Sequence, residues 1–136
     1  MESGFIRVAD VMRTELHMID GLASVQSAIE EMNRLKVSSL VIEHRHEGDE
    51  YGIVTVKDIA AKVVAVNRST ERTSVYQIMT KPALTISADM NVKYAIRLLA
   101  RLEHNRALVT GAKDLIGLAS LRDLVLSYAD HEKSAD

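Results

Sequence analysis

Apolar positions along the chain recur in two matching helical faces. Val25, Ala28, Ile29, Met32 and Leu35 stand three and four residues apart, and Val92, Ala95, Ile96, Leu99 and Leu102 repeat that face 67 residues later. Ser24 is a fitting N-cap for the first helix, and the second begins after Asn91. Short β-rich runs flank both helices: residues 16–19, 39–43 and 51–55 in the first half, and 83–86, 107–110 and 116–120 in the second. The polar heptapeptide 44–50 between two of these runs suits a hairpin loop. A further helix is expected over 56–66 and its counterpart from 121 to about 128, with the last residues, 130–136, solvated.

The duplication extends beyond the helices. GIVTVKDI at 52–59 returns as GLASLRDL at 117–124, and each copy closes a segment opened by a short apolar string: Val8, Val11 and Met12 match Val75, Ile78 and Met79. Repetition at this period marks two related units, 8–66 and 75–129, joined by the polar connector 67–74. Units of this size are short for independent cores, so a shared core is expected. A right-handed crossover makes the first two strands of each unit parallel, and the hairpin makes the next pair antiparallel. Apolar runs at 40–42 and 107–109 fit strands buried on both faces. The fold class that follows is α/β: two pseudo-symmetric β-α-β-β-α repeats packed as one module.

Charge and composition narrow the function. Seventeen basic and nineteen acidic side chains leave a net charge of -2, which supplies no global field for nucleic acid or an anionic membrane. Four tyrosines and one phenylalanine offer little stacking surface for single strands. With no cysteine there is no disulfide or thiolate chemistry. The lack of an 18-residue apolar run or a signal-peptide pattern makes the cytoplasm the expected location. No nucleophile with a supporting base and orienting acid can be assembled, so catalysis is not expected. His44 and His46 alternate beside Glu43 and Glu47, but a metal would require the strand to extend that far, and a solvated loop is the simpler reading. Asp10, Arg13 and Glu15 read as surface charge, and Met12, Met32 and Met79 as core.

The repeated corner carries the candidate chemistry. Thr55 with Asp58, and Ser120 with Asp123, have the spacing of an N-cap and its third helical residue. One reading is a helix cap and nothing more. The other starts from side-chain length: a capping box prefers Glu or Gln, so the shorter Asp is expected to leave its carboxylate open to outside donors such as a ribose diol. Unpaired amides at the same helix start, with the Thr55 or Ser120 hydroxyl, would suit a phosphate.

These residues carry a resemblance. The opening string, amphipathic helix, SerLeuVal or AlaLeuVal strand and closing Gly-apolar-apolar-Thr/Ser-x-x-Asp motif, present twice over roughly 8–129, are similar to a tandem pair of CBS domains, the arrangement called a Bateman module. The resemblance implies a pseudo-two-fold pair that binds AMP, ADP, ATP or S-adenosylmethionine reversibly in clefts between the repeats, as a regulatory ligand rather than a required cofactor. It implies that Asp58 and Asp123 hold ribose and that Thr55 and Ser120 meet phosphate. Adenine would lie against backbone and apolar side chains of the first strand of a repeat, here Met18, Ile19 and Asp20, with Thr85, Ile86 and Ser87 in the other copy, and Ala28 and Ala95 either leave room for the base or simply pack. Arg106 stands where family members often carry a basic phosphate contact, and its counterpart is Ser39, so a phosphorylated ligand should favour the Arg106, Ser120 and Asp123 pocket; the alternative is a surface arginine on a solvated edge. His104 and Lys113 lie near in sequence with no sign of direction. The family also implies a homodimer through Ile59, Ala60, Val63, Val64, Val66, Leu124, Val125 and Leu126, and an effector protein regulated in trans. The competing reading is a structural dimerisation or docking domain without ligand.

Overall fold

Ser24 and Asn91 begin the two long helices as their spacing predicts. In the computed structural model, which describes residues 5–112 and 114–135, the Ser24 hydroxyl accepts from the Ser27 amide at 3.0 Å and the Asn91 carboxamide accepts from the Lys93 amide at 2.8 Å. These caps supply acceptors to amides that have no partner inside their own helices. Helices α1 (Val25–Leu35) and α3 (Val92–Leu102) end alike, at Lys36 and Glu103, both in the left-handed region with φ of 59° and 58°.

The chain forms two compact units, one of residues 17–83 and one that combines the opening segment through Leu16 with the residues from Leu84 onward. In the first, β1 (Met18–Ile19) pairs parallel with β2 (Ser39–Ile42), which pairs antiparallel with β3 (Gly52–Thr55). In the second, β4 (Thr85–Ser87) pairs parallel with β5 (Arg106–Gly111), which pairs antiparallel with β6 (Asp114–Ser120). Both sheets are therefore the mixed type that the crossover rule required. β2 is buried at all four residues, the burial its unbroken apolar run predicts.

Each core is made by one face of the long helix against the sheet and the closing helix. In the first unit Val25, Ala28 and Met32 meet Leu40, Ile42 and Val54, with Ile59 and Val63 from the closing helix. In the second, Val92, Ala95 and Leu99 meet Ala107, Val109 and Ala119, with Leu124. The opening strings follow a different logic from the sequence order. Val8, wholly buried, packs in the core of the unit containing residues 84–135, whereas Val75 and Ile78 pack in that of residues 17–83. Backbone bonds tie each string down: Val8 N to Met90 O at 2.8 Å and Arg13 N to Leu118 O at 2.9 Å in one unit, Val75 N to Ala23 O at 2.8 Å and Thr80 N to Ile53 O at 2.9 Å in the other.

The closing helices differ between the repeats. α2 (Val56–Ile59) continues as a π-helical turn over Ala60–Val64, with Ala65 N donating to Ala60 O at 2.8 Å. α4 runs unbroken over Leu121–Ala135 and passes the expected end near 128, because 130–135 contain neither Gly nor Pro to stop it. Ile59, Val63 and Leu124, expected at a dimer face, are spent on their own cores. Val56, Val64, Val66, Val125 and Leu126 remain exposed.

Candidate ligand site

Within each unit the strand register brings two of the candidate residues side by side. Ser39 pairs with Thr55 and Arg106 with Ser120, so each strand-to-helix hydroxyl has the first residue of the neighbouring strand directly across the ladder on the same sheet face. Ser39 is buried, while Arg106 and Ser120 are half-buried.

The two corners use their carboxylates differently. Thr55 Oγ1 accepts from Asp58 N at 3.1 Å, Asp58 Oδ2 accepts from Thr55 N at 3.0 Å, and the same Oδ2 accepts from the Thr55 hydroxyl at 3.0 Å. The expectation that Asp is too short to reach back is thereby corrected for Asp58. The added hydroxyl bond draws its carboxylate onto the cap, closing a capping box. The other oxygen faces Lys62 Nζ at 3.5 Å. At the second corner Asp123 N donates to Ser120 Oγ at 3.0 Å, but the carboxylate turns to Arg13, whose Nε donates to Oδ2 at 3.0 Å. That hydrogen bond is the main cause holding the Asp123 carboxyl below the usual carboxylate range; burial opposes it, and the Ser120 hydroxyl assists. Arg13 was read from sequence as plain surface charge. Nothing near it in the chain signals the pairing, because its partner lies 110 residues away.

The strand residues expected to meet adenine divide. Met18 and Ile19 are half-buried, and Ile19 packs against the first core. The Ile86 side chain belongs to the second core. Ala28 and Ala95 are fully buried and pack within their cores. Asp20 and Ser87 make local bonds. Asp20 Oδ1 accepts from Leu22 N at 2.8 Å and Ser87 Oγ accepts from Asp89 N at 3.1 Å, local turns that carry the chain from strand toward helix. Because β1 runs parallel to β2 and β3 runs antiparallel, Asp20 lies at the end of its sheet away from Thr55, roughly 13 Å along the strand direction. Ser87 is placed likewise relative to Ser120, and exposed Thr85 stands two residues nearer.

Of the remaining candidates, His104 is half-buried in the turn after α3, and Lys113 lies outside the described residues. The His44 ring packs on Tyr51 at 4.6 Å between centroids, and His46 Nδ1 contacts Glu47 O at 2.9 Å. No helix among the described residues is long and apolar enough to cross a membrane.

Around the second corner, Arg13 and Asp123 line an open depression of about 470 Å³, with Asp10, Ser127 and Asp130 on its rim. It presents an ionised carboxylate, an exposed guanidinium and exposed acceptors, the chemistry for polar recognition.

Comparison with known proteins agrees with the duplication. A mitochondrial CBS domain-containing protein of Arabidopsis thaliana, CBSX3, is 29% identical over 136 residues, covering 91% of this chain and 66% of that protein. The hexameric CBS-CP12 protein from bloom-forming cyanobacteria superposes with a TM-score of 0.89 at 34% identity, covering 95% of this chain and 75% of that one. A CBS domain protein from Pyrobaculum aerophilum complexed with AMP superposes with a TM-score of 0.78, covering 92% of this chain and 99% of that one; at 19% identity the likeness is one of fold. The family model for the CBS domain matches twice, over 8–65 and 75–130, and this chain belongs to the CBS-domain family.

Proposed function

We propose that this chain is a regulatory module that binds one adenosine-containing ligand (AMP, ADP, ATP or S-adenosylmethionine) at the Ser120–Asp123 corner and signals in trans to a partner protein. The observation that carries this reading is the asymmetry of the corners. Asp58 is consumed by its capping box and Lys62, which favours a purely structural role there. Asp123 is held ionised by a guanidinium that can be exchanged for other donors, with Arg106 in register beside Ser120. A ribose diol supplies two hydroxyl donors suited to that carboxylate, and a phosphate suits the Ser120 hydroxyl and the arginines. The Pyrobaculum CBS protein in complex with AMP supports the ligand class.

Ligand energy becomes signal only if the ligand binds one arrangement of the protein better than another. Reading that change falls to a partner. Exposed Val56, Val64 and Val66, with Val125 and Leu126, support a homodimer built on the closing helices, and sedimentation equilibrium measures it.

Titration calorimetry and thermal melts with the four ligands at millimolar concentration test the binding. A ligand at a hundred times its Kd adds about 2.7 kcal/mol of stability, a shift easily read. No heat and no rise in melting temperature with any of them overturns the proposal and leaves a docking domain without ligand. Asp123→Ala should abolish the response and leave assembly intact.

A further inference from the structure

Arg13 has a clamped base and an exposed arm. Its backbone is clamped by a two-way bridge, Arg13 N to Leu118 O and Leu118 N to Arg13 O, both 2.9 Å, while its side chain is 70% exposed and reaches over Asp123. The clamp depends on Gly117: a Cβ there would lie 2.9 Å from the Arg13 carbonyl oxygen. The guanidinium therefore hovers over one carboxylate without being buried there.

The other repeat has no such arm. The matched position is Thr80, whose backbone makes the equivalent bridge to Ile53, so the geometry is duplicated and the cation is not. The two corners thus carry different cations: Lys62 stands 3.5 Å from Asp58 at one, whereas at the other Arg13 bonds Asp123, Arg122 lies 4.0 Å from the same carboxylate, and Arg106 is across the ladder from Ser120.

Resting on the adenosine-binding reading above, we infer that Arg13 is a latch that makes this corner select nucleotides over nucleosides. A ribose diol that grips both oxygens of Asp123 competes with the Arg13 guanidinium for Oδ2, and displacing it costs a charge-assisted hydrogen bond. A nucleoside offers the released cation nothing in return. A nucleotide offers a phosphate close to Ser120 and Arg106, and the arm swings from carboxylate to phosphate with its charge still paired. Arg13 opposes ribose alone and rewards ribose joined to phosphate.

Calorimetry with AMP and adenosine on the full chain tests this, comparing wild type with Arg13→Ala and Arg13→Lys. Removing the latch should tighten adenosine several-fold and weaken AMP by on the order of tenfold, so that the two affinities converge; Lys, a point charge without the fork, should retain part of the AMP preference. Equal changes for both ligands, or none, overturn the latch while leaving the binding site standing. Adenosine binding to the Ala variant but not to wild type supports it. Failure of both ligands on wild type and both variants, with melting curves showing all three folded, overturns the latch together with the adenosine reading. Should the Ala variant not fold, the Lys variant decides: an AMP-to-adenosine ratio unchanged from wild type overturns the latch.

Discussion

Thr55 and Asp58 each satisfy the other's backbone amide, at 3.1 and 3.0 Å, and share a third bond through the Thr55 hydroxyl at 3.0 Å. The box joins the last residue of β3 to the first turn of α2 and serves the fold. Thr55→Ala leaves the Asp58 amide without its acceptor and should cost about 1–2 kcal/mol. A double-mutant cycle with Asp58→Ala should show coupling of about 0.5 kcal/mol or more. Urea denaturation measures both. Nucleotide affinity should not move with Asp58→Asn, whereas Asp123→Asn should weaken it; equal effects at the two corners would refute the assignment of ligand to one of them.

Gly117 is required by a close crossing of chains. A Cβ there would sit 2.6 Å from Met12 Sδ and 2.9 Å from the Arg13 carbonyl; at Gly52 the corresponding distances are 3.1 Å to Met79 Sδ and 3.3 Å to the Thr80 carbonyl. A methionine tip can yield but a bridged carbonyl cannot, so Gly117→Ala should cost about 1–3 kcal/mol and Gly52→Ala less. Hydrogen exchange at the Arg13 and Leu118 amides should accelerate in the Gly117 variant. Unchanged protection would show that the opening segment adjusts.

Local patterns were legible before any coordinates. The helical faces, the caps at Ser24, Asn91 and Thr55, and the pairing types in both sheets follow from spacing, punctuation and handedness. Long-range geometry was not. Matching Val8 to Val75 reveals that the strings are equivalent, but periodicity carries no information about which core each one enters. The same holds for Asp20 and Ser87, whose distance from the corners depends on register. Asp58 was misjudged because side-chain length alone ignores the added Thr55 hydroxyl bond. Arg13 was missed because a partner 110 residues distant leaves no trace in spacing.

Acid should expose the contribution of Asp49. Its Oδ2 accepts from Arg45 N and from Lys81 Nζ, both at 2.8 Å, tying the hairpin loop to the segment after Ile78. The backbone bond from Arg45, and then Lys81, hold the carboxyl well below its ordinary range. A depressed folded-state value means that the unfolded chain binds the proton first, so the stabilisation is complete above the unfolded value of about 3.9 and is lost as pH falls toward the folded one. Melting temperature should therefore drop more steeply between about pH 5 and pH 2 in wild type than in Asp49→Asn, which should be the less stable protein at neutral pH. Parallel curves would show that the ion pair is absent in solution.

Lys36 and Glu103 end matched helices with φ of 59° and 58°, a conformation that penalises any Cβ. Glycine removes the penalty and keeps the amides that donate to Met32 O and Ala100 O. Against that gain stands the greater freedom of glycine in the unfolded chain, leaving a net benefit of about 0.5–1 kcal/mol. The two sites should not respond equally. Lys36 lines an apolar groove with Ile29, Met32, Val56 and Ile59, so its replacement also strips a methylene stem from apolar surface. Glu103 is exposed. Glu103→Gly should therefore raise the melting temperature, and Lys36→Gly should raise it less or leave it unchanged. A larger gain at Lys36 would mean that its stem contributes nothing to the groove.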